Sequence, residues 1–557
     1  LIGNDRARDL LTAELEDNAK YAVLGLGYAG DTSTISKIED VLLIQNDFET
    51  LTNAAHALGT LLTWNVTDKI AISSQLASRL ANLAQDSGNL GLEAAFALSR
   101  AKELPTAFPS YLVAKGAAYN ANPATRALLT RTLSKIIIPE VEYTLTQIAT
   151  NDSEFGPRVE AVRSLTKFTL TDRVKEAYRA AIVDPYDSVR VQTIEAIASY
   201  KEAGAEFVKD LAYVYTNVRS PWVKAAAMAA LHAIDPIKAV PFVDESAFTP
   251  NQTLQARAIE IYGESLTDLA KLAQVVRVSK NHDRSTVAAA ALLALGNLDK
   301  ANVPDEAAES LKLALQSSNS SILESAAVSV VKLELESALP MLIDSLKNGK
   351  ESRISVIEAF GAIATSNEAS ELLPYFNHHS KQVVQAAVEN YKKLTGVDKS
   401  SEIPLNSHPV LATPTQDELA SAANTTIRFE TERGTFRIKT NDNPYSVTAY
   451  RFIEWAKAGF YDGKEFHRIV PNFVAQGGGF DTDENLLRDE VSIQRHSRGT
   501  VGIATAGKDT GGANFFVNIA PNLHLDGHYT SFAEVTDGMN IVDHLEVGDK
   551  ILSATVE

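Results

Sequence analysis

FHRIVPNFVAQGGGF at residues 466–480 and GTVGIATAGKDTGGANFFVNIAPNLHLDGHYTSFAEV at 499–535 decide how this chain is read. Their apolar residues come in short runs broken by Gly, Asn, Asp and Pro, which is the pattern of brief strands joined by tight turns. Cations, amides and histidines are interleaved with those runs, so the two pieces read as a site. The residues before them agree. TIRFETERGTFRIKT at 426–440 alternates apolar and polar positions around Glu-Arg-Gly, a hairpin pattern. SVTAYRFIEWAKAGFYDG at 446–463 has helical spacing across Val447, Phe452, Ile453 and Ala456, with Gly459 as its stop. Many short strands with one or two helices in a unit of about 130 residues indicate a closed or sandwiched β fold.

Upstream the period changes. From residue 1 to 398 the apolar spacing is helical, in paired segments separated by Asp, Ser, Asn or Pro. One segment type recurs: GPRVEAVRSLTKF at 156, DSVRVQTIEAIASY at 187, SPWVKAAAMAALHAI at 220, NQTLQARAIEIYG at 251, DRSTVAAAALLALGNL at 283, SSILESAAVSVVKLE at 320, ESRISVIEAFGAIA at 351 and KQVVQAAVENYKKL at 381. Such a period signals stacked helical hairpins, none of which can bury its apolar face alone. The D-x-V-R-x-x-x-I-x-A-I-A run at 187–198 resembles the second helix of HEAT-type repeats, which implies an α-solenoid whose long concave face usually serves as a docking surface. Arg158, Arg163, Arg190 and Lys224 are candidates for partner contacts, although such residues are expected more often to pair with nearby carboxylates in a solvated ladder. Residues 399–423, rich in Ser, Pro, Thr and Asn, read as a linker. The expected organisation is a HEAT-like α-solenoid at 1–398, the linker at 399–423 and a β unit at 424–557.

Composition limits the chemistry. Lys+Arg 52 against Asp+Glu 70 gives a net charge of −18, which disfavours nucleic acid and anionic lipid as partners. The absence of cysteine removes disulfides, thiolate nucleophiles and cysteine-bound metals. No apolar run reaches the roughly 18 residues of a transmembrane helix. The chain begins LIGNDRARDL, without an initiator Met or a secretion-signal pattern, and is expected to be a processed form. Together with the bacterial flavour of NLHLDGHYTSF, this points to a bacterial cell-envelope location, periplasmic or outer-membrane-associated, with the cytoplasm as the alternative.

From about Thr425 to the end, the order of hairpin, helix, F-H-R-I-x-P-x-F-x-x-Q-G-G, A-x-A-G, N-F-F and L-D-G resembles the cyclophilins, peptidyl-prolyl cis/trans isomerases with a closed β-barrel and flanking helices. The resemblance implies an isomerase of X-Pro bonds in protein clients, needing no cofactor and no metal. It implies Arg468, Gln476 and Phe473 as the catalytic set. It further implies an apolar cup of Phe473, Val474, Phe516 and Leu525, and a peptide groove along Ala504, Thr505 and Asn514, with His524 and Tyr529 at its walls. Thr505, Asn514, His524 and Tyr529 depart from the family's commoner residues. His524, where a cyclosporin-sensitive member carries Trp, places drug binding in doubt more than turnover. The alternative is a non-enzymatic adaptor whose cyclophilin fold only binds proline-containing segments. His467, His524 and His528 lack metal-ligand spacing, and the acidic run at 481–490 lacks the glycine and terminal Glu of a calcium loop.

Overall fold

The computed structural model describes residues 5–64, 71–348, 353–378, 381–402, 414–470, 473–479, 487–490, 494–507, 509–526 and 528–557. Among these, the regular elements from Asp5 to Thr395 are all helices. The punctuation read from the sequence does its work as caps. Asn122 accepts from Ala124 and Thr125 ahead of helix Pro123–Leu133, Asn251 from Leu254 ahead of Gln252–Gly263, and Asn319 from Ile322 ahead of Ser320–Lys332. Each satisfies backbone donors that have no partner inside the helix. The recurrent segment is the second, inner helix of each pair. Within each unit its Ala, Val and Ile pack against the neighbouring inner helices, as in Ser285–Leu295, where Val287, Ala288, Ala291, Leu292 and Leu295 are buried.

Packing divides the chain into two compact units, Leu1–Ile237 with Ala520–Gly527, and Lys238–Ile519 with His528–Glu557. Residues 403–413 of the expected linker lie outside the described residues. After them, Gln416–Ser421 forms a short helix closed by a reciprocal Thr415–Glu418 capping box.

In the first unit the repeat arginines form a ladder of ion pairs, and two of its rungs are buried where the sequence suggested a solvated series. Arg126 clasps Asp152 with two bonds of 2.8 Å, and Arg158 clasps Asp184 at 2.8 and 3.0 Å. Both pairs are nearly excluded from solvent. Each arginine also donates to a backbone carbonyl at the preceding turn, Asn120 O at 2.8 Å for Arg126 and Asp152 O at 2.7 Å for Arg158. Arg163 bonds Glu160 and Gln192, Arg190 bonds Asp187, and Lys224 lies over the Tyr215 ring at 5.2 Å instead of meeting a carboxylate. The Arg126 and Arg158 rungs are buried because these residues emerge at the seam between pairs, where stacking removes water, whereas Arg163 and Arg190 pair in partly exposed positions as the sequence suggested.

The β unit is one eight-stranded sheet: β1 Thr426–Thr431, β2 Gly434–Thr440, β3 Glu465–Val470, β4 Val474–Gly478, β5 Thr500–Ile503, β6 Phe515–Asn518, β7 Ser531–Asp537 and β8 Ile551–Val556. Its order is β3-β4-β6-β5-β7-β2-β1-β8. A bridge between Glu465 and Lys550 joins the first strand to the chain just before the last, nearly closing a barrel. Alternation on β1 and β2 puts Ile427, Phe429, Phe436 and Ile438 inside. Helix Val447–Lys457 adds Phe452 and Ile453 over them. Phe429 stacks on Phe436 at 5.0 Å, and Phe515 meets Phe452 edge-on at 5.5 Å and Phe466 at 6.0 Å.

Breaking a buried ion pair strands one charge, whereas removing both partners does not. Arg158→Met is therefore expected to lower stability by about 3–5 kcal/mol. The double variant Arg158→Met/Asp184→Leu should lose markedly less, as read by urea denaturation followed by far-UV circular dichroism.

Candidate functional site

The sheet register assembles the site. Arg468 on β3 is paired with Gln476 on β4, Gln476 with Phe516 on β6, and Phe516 with Gly502 on β5, so one row of residues crosses four strands. Along it the Arg468 guanidinium donates to Gln476 Oε1 at 3.3 Å and lies 5.7 Å from the centroid of the Phe473 ring. Phe473 is fixed through its backbone: its N–H donates to Val470 O at 3.0 Å, and its carbonyl accepts from Ile519 at 2.9 Å. Arg468 is exposed, Phe473 and Gln476 are half-buried, and Val474 and Phe516 are buried. The outcome is an exposed cation beside an aromatic ring, with buried apolar side chains on the adjoining strands.

Phe516 is held on three sides. Tyr529 meets it edge-on at 5.9 Å and His496 stacks against it at 5.6 Å. On the third side is Gly502: a Cβ there would stand 2.5 Å from the Phe516 ring, so only glycine leaves the ring its place. The neighbouring strand needs glycine for a different reason. Gly478 has φ +98, and a Cβ would come within 2.4 Å of Ala513 O. The groove residues follow β5 and precede β6. Ala504 N–H donates to Asn514 O at 2.9 Å, with Thr505 half-buried beside it. Asn514 is buried, and its Oδ1 has no hydrogen-bond partner among the described residues, which leaves an acceptor for a peptide N–H.

His524 and Leu525 lie on the 3-10 turn Leu523–Leu525, within the segment Ala520–Gly527 that packs with the first unit. Leu525 is buried and His524 half-buried within electrostatic reach of Glu160. The remaining site residues named from sequence share the second unit. Burial pushes the His467 imidazole down to about 4. Among the described residues no three His, Asp or Glu side chains converge as a metal site would require. Of the acidic run, residues 481–486 lie outside the described residues, and Glu490 accepts from Ser446 Oγ at 2.6 Å and from Thr448 N–H at 3.0 Å at the start of helix Val447–Lys457.

Sequence reasoning missed His496, Asn518 and Gly502 as supports. His496 Nε2 lies 3.1 Å from Tyr529 O, and its Nδ1 is 3.3 Å from Asn518 Nδ2, which also donates to Thr500. Because the amide nitrogen can only donate, Nδ1 accepts and Nε2 carries the proton. The imidazole is therefore neutral. His496 stands in RHSRG, just ahead of the second quoted stretch, and a single histidine carries no periodic signal by which to find it.

A family model for cyclophilin type peptidyl-prolyl cis-trans isomerase/CLD matches residues 426–556. A peptidyl-prolyl cis-trans isomerase of Synechococcus elongatus is 38% identical over 135 residues, covering 23% of this chain and 93% of the relative. One from Helicobacter pylori strain J99 is 37% identical over 147 residues, covering 25% of this chain and 90% of the relative. Peptidyl-prolyl cis-trans isomerase B of Bacillus subtilis is 38% identical over 117 residues, 20% of this chain and 82% of the relative. A solved cyclophilin type isomerase from Cryptosporidium parvum is 20% identical, covering 24% of this chain and 97% of that one, with a TM-score of 0.23.

Burial holds His496 down to about 4 against an ordinary 6.5. Between those values the unfolded chain binds a proton that the folded site refuses, so stability is complete above the upper value and declines as pH falls toward the lower one. The full decline from this group is about 3 kcal/mol. His496→Gln, which keeps an amide donor and acceptor, should flatten the fall in melting temperature between about pH 6.5 and 4. An unchanged slope would show that His496 does not titrate in this way.

Proposed function

Through its C-terminal domain the chain belongs to the cyclophilin-type peptidyl-prolyl cis-trans isomerases, and on that footing we propose how its residues divide the work on X-Pro bonds of protein clients. The barrier to rotation, about 18–20 kcal/mol, is the resonance lost when the amide twists. No bond to a heavy atom has to form or break. Catalysis then consists of binding the twisted amide better than the planar one. In that twisted form the prolyl nitrogen recovers a lone pair that can accept a hydrogen bond. Arg468 is the donor, and the single observation supporting this is its guanidinium above Phe473, bonded to Gln476 across the β3–β4 pair. Held there beforehand, it needs no reorganisation as the amide twists.

The client's proline ring packs against Phe473, Val474 and Phe516, beside the guanidinium. Its preceding residues lie along Ala504, Thr505 and Asn514, where backbone pairing tolerates many side chains and the buried Asn514 Oδ1 offers one directed contact. Tyr529, edge-on to Phe516, bounds the groove. The helical repeats are the docking scaffold for clients or an assembly partner. That role is supported by large aromatics left in solvent on first helices of the pairs, with Tyr111 78%, Tyr119 82%, Tyr143 53% and Tyr213 63% exposed. Tyrosine is favoured in protein interfaces because it brings large area with little conformational entropy to lose.

Arg468→Ala is expected to lower kcat/KM for an Ala-Pro peptide by about 100- to 1000-fold, the range seen when one preorganised donor is removed, with the far-UV spectrum unchanged. Exchange NMR on the peptide measures it. If parent and variant both leave the exchange at the uncatalysed rate, the adaptor reading takes over. For the scaffold, Tyr111→Ser/Tyr143→Ser/Tyr213→Ser should weaken turnover of an unfolded protein client several-fold while the tetrapeptide rate stays at the parental value. Equal loss on both substrates would remove the docking role from these tyrosines.

A further inference from the structure

Within the second unit, the N-terminal ends of successive inner helices meet the β domain. Asn251, the cap of helix Gln252–Gly263, spends its Oδ1 on Leu254 N–H at 3.0 Å and gives its Nδ2 to Glu546 Oε2 at 3.1 Å. Glu546 is only 8% exposed and also pairs with Arg433 at 3.1 Å. Arg433 in turn donates to Asp549 at 2.7 Å, and Asp549 accepts the Glu546 N–H at 2.7 Å, so the loop ahead of β8 is rigid where it meets the helix. One repeat later Ser285, the first residue of helix Ser285–Leu295, donates to Glu465 Oε2 at 2.9 Å. Between these points a Cβ on Gly548 would stand 3.4 Å from Gln252 Nε2 and 3.5 Å from Thr286 Oγ1.

The third and fourth contacts continue the series. Asn319, Ser320 and Ser321, at the start of helix Ser320–Lys332, line a cavity of about 150 Å³ together with Lys464, Glu465 and Gly479. Gln382, near the start of helix Lys381–Thr395, donates to Ala506 O at 3.3 Å in the loop that carries Ala504 and Thr505. At the first two places the chemistry repeats: a carboxylate of the β domain faces the N-terminal end of a helix, where the first N–H groups and the helix dipole favour negative charge. A flexible tether between the domains would not require such matching.

We infer that the inner-helix N-termini at Asn251, Ser285 and Asn319–Ser321 form a built docking face for the chain's own isomerase domain, locked by Glu546 and Glu465. The lock makes these repeats and the barrel one body. It also fixes β3 at Glu465, three residues before Arg468, and the groove loop at Ala506. The isomerase site is thus held in one orientation relative to these repeats.

The test uses the full chain carrying a protease site introduced between residues 403 and 413, cleaved after folding and run on size exclusion. Co-elution of the two fragments is expected, and their separation would overturn the inference. Asn251→Asp keeps a good helix cap and Ser285→Asp puts an acid in a first helical turn, where the dipole favours it, but in the double variant they set a carboxylate against each of Glu546 and Glu465. Its fragments should separate after the same cleavage, with helicity before cleavage at the parental value. Adding Glu465→Lys should restore co-elution by reversing one of the two repulsions. Should the double variant stay together as tightly as the parent, or the third substitution restore nothing, the carboxylates do not form the lock.

Discussion

The site rests on strand register. Arg468, Gln476, Phe516 and Gly502 come from four strands and fall in one row because β3, β4, β6 and β5 pair in a single alignment. Side chains alternate across a sheet with period two, so a slip of one residue in any pair would carry a member of the row to the opposite face. The register is secured from the other side of the sheet. Ala475, Val517, Val501 and Phe515 are fully buried in the aromatic core, and turning them outward would expose the surface that drives folding. Catalytic geometry and hydrophobic burial are enforced by one constraint.

The repeats obey a comparable rule with different chemistry. Alanine-rich inner faces would stack in several offsets of similar energy, since small side chains make shallow ridges. The buried Arg126–Asp152 and Arg158–Asp184 pairs remove that freedom, because each guanidinium must reach both a carboxylate and a carbonyl in the adjoining turn. Such pairs add little net stability once desolvation is counted, but a wrong offset leaves a charge stranded. At the far end of the series, helix N-termini face the barrel's carboxylates, so the ends of the helices as well as their sides carry specific interactions.

Local signals were legible. The alternation at 426–440 became the β1–β2 hairpin, the 446–463 spacing became helix Val447–Lys457, and the eight recurrent segments became inner helices. Arg158 was legible as an ion-pair residue but not as a buried one, because burial arises at a seam that exists only after neighbouring pairs stack. Arg468, Phe473 and Gln476 were named from their motif, and the structure brings them together. His496 and Asn518 were not named: both support Phe516 through contacts distant in the chain, and neither sits in a repeating pattern.

By itself the sequence determined element types, the change from a helical to a strand period, and the family of the C-terminal domain. These follow from spacing and motif, which are properties of neighbours along the chain. Tertiary structure alone decided which glycine makes room for Phe516, which histidine is kept neutral beneath it, and which repeats grip the barrel. Each of those depends on the distance between groups far apart in sequence. Gly502 becomes indispensable only when β6 brings a ring to within van der Waals contact, and Ser285 acquires a partner only when Glu465 is laid across the end of its helix.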